Sequence, residues 1–505
     1  MLTPTPLPTW FNLFRALLCR LPSAIDLAAP WRREGEVAGW LSRSAWSLAL
    51  IALWRKSRAP ELPVTVWIPD YFCNASLAAL RQTGAPLVFY PVTACMEPDF
   101  GAFQPLADAD PPDIFLLVHY FGRPTPAAKT RDWCARHGAW LIEDAAHVLR
   151  QVEGIGAYGD CVLYSPHKHL PIPDGAVLLI RPNGPGKFGA DGLASFGPPS
   201  SWPSQLRDLQ QQMGGSVSSG GAHAVVWLVK RVLQKLGVRS WRLSTTPFAE
   251  PLKPVASQFT APPQSDLARR LLAGLVSELG AVSRRRQRHQ MLWDGLLIDD
   301  ASCIDNLGLA ERPINREWTP YLAAYKIGPT KAEETYHQWQ RQGLPVSTWP
   351  DLPPEVIAHR ECHANAWHLR HTRLYLPAHQ SLSARELLER CCWPGAIPES
   401  KPRLRLVWDK GTREQCRQWL AQAGPSNLLQ SWPYGEAKSV HGGWRVKRGV
   451  LCRDNEPIAV VQVLQKRVAG LLIVSRINRG PLFLRPILPQ ERRAVWGELV
   501  RLGNL

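Results

Sequence analysis

The chemistry of this sequence can be organised around Lys168. It lies within Leu141–Ile180, LIEDAAHVLRQVEGIGAYGDCVLYSPHKHLPIPDGAVLLI, a stretch bounded by two apolar runs. The first run ends on Glu143-Asp144, the second is Ala176–Ile180, and Ser165 stands shortly before the lysine. A lysine that sheds its proton can attack an aldehyde and form a Schiff base. An acid at the carboxyl end of a buried strand can hold a pyridine nitrogen protonated, so that the ring draws off electrons. An acid and a lysine on successive strand ends therefore meet the needs of a pyridoxal phosphate (PLP) site.

The same stretch contains Gly154, Gly156 and Gly159, which spell GxGxxG. A dinucleotide fingerprint has a strand before it and a helix after it. Here a helix-like segment, Ala145–Val152, comes first and the strand-like Cys161–Tyr164 follows. The reversed context excludes NAD, and the glycines read as a tight loop.

The elements that must position these residues are short and apolar. Strands are predicted within Val64–Asn74, Ala85–Pro91, Asp113–Gly122 and Ala139–Ile142, with a helix over Thr130–His137. This alternation is the pattern of a mostly parallel sheet, whose ligands sit at the carboxyl ends of the strands. Gly39–Trp54 has serines followed by apolar residues at helical spacing. Ser42 or Ser44 is expected to cap that helix, whose free amides and positive end suit a phosphate.

The Leu141–Ile180 stretch resembles the DegT/DnrJ-type sugar aminotransferases, a branch of the fold-type-I PLP enzymes. The quoted residues carry the likeness: IEDAAH, the spaced glycines before Asp160, Ser165, Lys168 and Asp174-Gly175. Thr348–Val356 (TWPDLPPEV) and Leu376–Ser383 (LPAHQSLS) are similar to the family's small-domain signatures, so the resemblance spans about Leu41 to Cys392. It implies an α/β fold with a mostly parallel sheet and a small α+β subdomain. It also implies Lys168 as the catalytic residue, bound to PLP, with Asp144 at the pyridine nitrogen and His147 near the ring hydroxyl. Phe72 would lie on the ring face, and Ser165, Ser42 and Ser44 would hold the phosphate. The sequence departs from the family in four places. Arg43 replaces a glycine, Ser44 a threonine and Ala176 the second glycine of D-G-G, and the Ser165–Lys168 interval is two residues shorter than in many members. Some relatives are dehydratases with histidine in place of the lysine, which Lys168 argues against.

Composition sets the wider frame. The 505 residues, 45% hydrophobic and 20% charged, exceed one ordinary domain and belong to a folded soluble chain. No apolar run is long enough to span a bilayer. Eleven cysteines without a CxxC pair are expected to be reduced thiols in a cytoplasm, where the Asn74 sequon would go unread. Residues 1–30, with Trp10, Phe11, Phe14, Leu17 and Leu18 around Arg15 and Arg20, are predicted to be an amphipathic docking segment rather than a signal peptide. Pro182–Gly221 reads as a loop broken by one short helix, Ala222–Leu236 and Ser265–Leu297 as helices, and Leu344–Val346 as a short strand. Arg284, Arg285, Arg286 and Arg288 on the last are expected to face solvent or phosphate. His359, Cys362, His363, His368 and His371 crowd one predicted helix, but their spacing lacks the second ligand pair of a closed zinc site, so no metal is expected.

After the linker at 397–403 the chemistry changes. Lys401–Leu505 holds 19 Lys and Arg against 7 Asp and Glu, most of the chain's net charge of +17. A strand (Leu404–Trp408), a helix (Gly411–Ala423) and hairpin strands (Val446–Cys452 and Ile458–Leu464, around an Asp454-Asn455 turn) are predicted there. With LLQSWPYG and RINRGP, residues 404–505 resemble the first half of a FemAB-like N-acyltransferase of GNAT architecture. The fold expected for residues 31–396, with its small subdomain at about 300–396, is therefore the PLP-dependent domain, followed by a partial GNAT-like unit. The expected function is transfer of an amino group from an amino acid, with glutamate as donor, to a keto-sugar nucleotide in amino-sugar or polysaccharide biosynthesis. The alternative is a PLP-fold scaffold whose basic C-terminal unit is the acyltransferase or binding module. A homodimer is expected from the resemblance, and an anionic carrier would suit the basic unit.

Overall fold

The computed structural model describes residues 2–18, 26–58, 60–182, 201–212, 219–238, 247–249, 263–297, 304–306, 318–391, 404–409, 411–423, 428–453, 456–468, 472–478, 480–484 and 495. The predicted linker at 397–403, Arg20, the Asp454-Asn455 turn and most of the Pro182–Gly221 loop lie outside them. The chain divides into two compact units, residues 1–294 with 301–382, and residues 295–300 with 383–505.

Seven strands form the central sheet of the first unit: β1 (Val37–Leu41), β2 (Val66–Pro69), β3 (Leu87–Tyr90), β4 (Ile114–Val118), β5 (Trp140–Ala145), β6 (Cys161–Tyr164) and β7 (Ala176–Ile180). Their order is β1-β7-β6-β5-β4-β2-β3. The pairs β2–β3, β2–β4, β4–β5 and β5–β6 are parallel, whereas β7 runs antiparallel to both β6 and β1. β2, β4, β6 and β7 are buried along their whole length. That is why they read as unbroken apolar runs. The helix Ser44–Lys56 presents Leu48, Ile51, Ala52 and Trp54 to this core. A second sheet, β10-β9-β8, is antiparallel and comprises β8 (Ile304–Asn306), β9 (Leu322–Ile327) and β10 (Arg373–Pro377).

The second unit contains β11 (Leu404–Trp408), β12 (Arg445–Arg453), β13 (Glu456–Val468) and β14 (Leu472–Ile477), antiparallel in that order, with β15 (Leu482–Phe483) also on β13. Helices Arg413–Gln422 and Trp432–Gly442 lie between β11 and β12 in the chain. Thr412 and Ser431 cap them through their side chains, and Pro433 falls in the first turn of the second, where its missing N–H costs nothing.

Four local expectations are corrected. Residues 146–160 form turns and bends, not a helix over Ala145–Val152. The Leu149 carbonyl accepts from the Trp31 indole, and the Ala146 amide donates to Asp144, so neither group serves a helix. Arg43 is the N-cap of Ser44–Lys56, and neither Ser42 nor Ser44 caps it with a side chain. Leu344–Val346 is no strand; only a single bridge from Ser347 to Tyr375 forms there. Of the histidine-rich segment only His368 and His371 lie on a helix, Ala364–Thr372, whereas His359, Cys362 and His363 stand in the turn before it.

Candidate active site

The parallel strands bring four chain segments to one edge of the sheet. β5 carries Asp144 next to its last residue, β6 leads into Ser165 and Lys168, β2 into Tyr71 and Phe72, and β4 into Tyr120 and Phe121. A cavity of about 350 Å³ opens there. Of the predicted site residues, Ser44, Phe72, Asp144, His147 and Lys168 line it, whereas Ser42 and Ser165 do not.

Lys168 rides on a single helical turn, Pro166–His169, directly after β6. Pro166 occupies the first position of that turn, which its fixed φ suits. The turn is anchored from outside. The Lys168 amide donates to the Ser165 carbonyl at 2.9 Å, and His167 Nδ1 lies 2.9 Å from the Gly175 carbonyl oxygen. The Gly175 amide in turn donates to the Ser42 carbonyl. Gly175 has φ +130°, and a Cβ there would come within 2.6 Å of Gln264, so only glycine serves. Burial lowers the Lys168 pKa; the nearby Asp144 charge partly opposes this. Burial likewise raises Asp144, which Lys168 and the Ala146 amide pull back down. The amine is therefore biased toward its neutral, nucleophilic form beside a carboxylate.

His147 forms the layer above. Its ring stacks on Tyr321 at 4.4 Å and on Phe121 at 5.6 Å between centroids. The Phe121 amide donates to its Nδ1, which leaves the proton on Nε2. Burial, with Lys168 adding to it, keeps the ring neutral. Trp349 stacks on Tyr71 at 4.4 Å and completes an aromatic wall, and the Tyr71 and Tyr375 hydroxyls hydrogen-bond at 2.7 Å.

Behind the cavity, the glycine loop serves Glu143. The amides of Gly156, Tyr158 and Gly159 donate to its carboxylate at 2.7, 2.7 and 2.5 Å. His119 Nε2 lies 2.8 Å from the same group, and the Thr125 amide donates to His119 Nδ1, which assigns the proton to Nε2. Burial alone would raise Glu143, but His119 and the amides outweigh it and hold the pKa at about 2. A Cβ on Gly159 would sit 2.7 Å from the Cys161 carbonyl oxygen, so the close approach requires glycine.

Tyr321, Trp349, Phe121 and Tyr375 line the cavity although no local pattern marked them as site residues. Trp349 alone carried a signal, within TWPDLPPEV. Arg286, expected to face solvent or phosphate, is almost wholly buried against backbone carbonyls. Its guanidinium donates to the carbonyls of His169, Pro320 and Tyr321 and to Gln380, tying the lysine turn to the Tyr321 segment. Ser165 Oγ is buried without a hydrogen-bond partner. Among the described residues no group of three or more His, Cys, Asp or Glu could hold a metal ion. In the histidine-rich segment, His363 engages Asp70 at 3.0 Å and His371 engages the Trp367 carbonyl.

Residues 74–181, which include Asp144 and Lys168, match the model of the DegT/DnrJ/EryC1/StrS aminotransferase family. The expected aminotransferase class and PLP cofactor agree with that match. No curated protein matches the sequence. The fold is that of solved aminotransferases. A putative sugar aminotransferase of Streptococcus pneumoniae, Spr1654 in its PLP form, has a TM-score of 0.52 at 14% identity, covering 77% of this chain and 96% of that one. Helicobacter pylori PseC, an aminotransferase involved in the biosynthesis of pseudoaminic acid, has a TM-score of 0.51 at 11% identity, with the same coverage.

Proposed function

We propose that the protein is a PLP-dependent aminotransferase that moves an amino group from an amino acid, with glutamate the expected donor, to a keto group on a nucleotide-linked sugar. One observation carries the reading: Lys168 and the Asp144 carboxylate face a single cavity from adjacent strand ends. The residues fit the cofactor. The cavity combines a half-buried carboxylate, a free-base-biased amine and an aromatic wall, and the orphaned Ser165 hydroxyl lies beside the lysine turn. When bound, PLP supplies an aldehyde and a ring that stabilises negative charge on the donor's α-carbon.

The chain's own residues then have distinct tasks. Asp144 would hold a proton on the ring nitrogen, and Lys168 would carry protons to and from the donor carbon. His147, fixed neutral with its proton on Nε2, would donate toward the ring hydroxyl. Phe72 would cover one ring face. Ser44 and the amides opening the helix Ser44–Lys56 would bind phosphate, with Ser42 and Ser165 supporting it from outside the cavity wall. We further propose a homodimer, a cytoplasmic setting consistent with the free thiols, and a partial GNAT-like unit in residues 404–505 that acylates an amine. The strand–two helices–three antiparallel strands order of that unit supports the last reading.

Screening the purified chain with keto-sugar nucleotides and glutamate, while recording visible spectra, tests the proposal. A visible band fixed onto Lys168 by borohydride, with glutamate-dependent amination, is expected. A chain without such a band would be a scaffold, and function would pass to its C-terminal unit.

A further inference from the structure

Two helices of the first unit each carry two apolar faces. In Trp10–Leu18, Leu13 and Ala16 are buried; in Ser219–Lys235, Ala224 and Trp227 are. Leu13, Ala16 and Trp227 pack into one cluster with Leu271, Leu272 and Leu275. The opposite faces stay bare. Phe11 is 69% exposed and Leu18 79%, with Trp10, Phe14 and Leu17 beside them. Val226 is 67% exposed and Leu236 68%, with Val225, Val229 and Leu233 in the same stripe. The helices meet where Lys235 Nζ lies 5.1 Å over the Trp10 ring.

Exposed apolar faces on two touching helices mark an interaction site, and their charge identifies the occupant. Leu2–Leu18 and Ser219–Val238 contain no acidic residue, yet carry Arg15, Lys230 and Lys235 beside the bare faces, while Arg231 turns to Trp227 and Gln234 on the buried one. A two-fold contact made by these helices with their copies would bring together cations, with no acid on either helix to pair them. Aromatic and aliphatic side chains rimmed by Lys and Arg instead match the boundary between acyl chains and anionic headgroups. Among the described residues no helix is long and apolar enough to cross a membrane, so the helices would lie in the interface plane. We propose that the exposed faces of Trp10–Leu18 and Ser219–Lys235 together dock the protein on an anionic bilayer surface. The inference is independent of the active-site reading.

Cosedimentation of the full chain with vesicles provides the test. At low salt the protein should sediment with phosphatidylcholine–phosphatidylglycerol vesicles and remain in solution with phosphatidylcholine alone. Phe11→Asp combined with Val229→Asp should weaken vesicle binding by about tenfold or more, with circular dichroism unchanged. A milder pair, Arg15→Gln with Lys230→Gln, should weaken it by about tenfold and guards against misfolding of the first. Failure of the wild type to bind the anionic vesicles would overturn the proposal. So would unaltered binding by both variants, which would assign the membrane contact to the basic C-terminal unit. A wild-type dimer dissociated by the aspartate pair would show that a second copy covers this face.

Discussion

Lys168 and Asp144 each favour the other's charged form against the effect of burial, and each is buried enough for the other's charge to matter. Replacing Lys168 with alanine removes the only amine among the described residues that line the cavity, while its backbone turn is held by Ser165 and Gly175. We expect Lys168→Ala to lose any borohydride-reducible PLP adduct and to keep the wild-type circular dichroism. An adduct that survived would move the chemistry elsewhere. Asp144→Asn keeps the shape but cannot supply the negative charge that holds a ring nitrogen protonated. Turnover should fall by about a hundredfold or more and cofactor affinity should drop, as read by steady-state kinetics and fluorescence titration. Glu143 next door should be felt in stability rather than turnover. Its pKa is depressed from 4.5 to about 2, so the carboxylate stabilises the fold above its unfolded pKa, and that contribution is lost as pH falls through the folded value. Glu143→Gln should therefore cost on the order of 2–3 kcal/mol near neutral pH. In urea melts, the gap from wild type should close between about pH 4.5 and pH 2. A gap that persisted at low pH would mean that packing, not the ionised carboxylate, is what the substitution removes.

At the scale of elements, the site depends on how two segments are tied together. Arg286 reaches from the helix Leu279–Leu297 to carbonyls on the lysine turn and the Tyr321 segment. Burial lowers its pKa to about 10, so it stays charged at neutral pH. Arg286→Met should leave those carbonyls unpaired and cost about 3 kcal/mol. Arg286→Lys should recover only part of this, because an ammonium cannot serve the same fork of acceptors. Thermal melts of both variants check the ordering; equal stability of the two would break it. This tie was invisible in the sequence, where four arginines in one run look like a solvated face. β2, β4, β5 and β6 were legible because buried parallel strands are written as short apolar runs, and Asp144 and Lys168 stand at their ends. β1 was not, because an edge strand of half-buried residues, VAGWL, runs straight into the following helix. The Ala145–Val152 error has the same root. Its apolar residues recur at helical spacing, but the Trp31 indole and the Asp144 carboxylate take the backbone groups a helix would need. The aromatic wall of Tyr321, Trp349 and Tyr375 comes from distant parts of the chain, and only tertiary packing brings it to the cavity.

On the scale of the whole molecule, charge and chemistry are divided unequally. Every residue assigned to the cofactor lies in the first unit, whereas the last fifth of the chain holds 19 basic and 7 acidic residues. If the two units carry out consecutive steps, amination then acylation, tethering would raise the local concentration of the aminated sugar to about millimolar. If the basic unit serves only as a docking surface for an anionic carrier, its contribution would be screened over a Debye length of about 10 Å at 0.1 M salt. The two readings separate on one experiment. A chain ending at residue 396 should bind PLP as the full protein does, since it retains Lys168, Asp144, His147, Phe72, Ser42, Ser44 and Ser165. Isolated residues 397–505 should then be assayed with acyl-CoA donors and an amino-sugar nucleotide across a salt series. Acyl transfer that survives moderate salt supports a catalytic unit, and binding that collapses with salt without any acylation supports a docking one. Loss of PLP binding by residues 1–396 would mean that the cofactor site needs residues from the basic unit, and the proposed division of labour would fail with it.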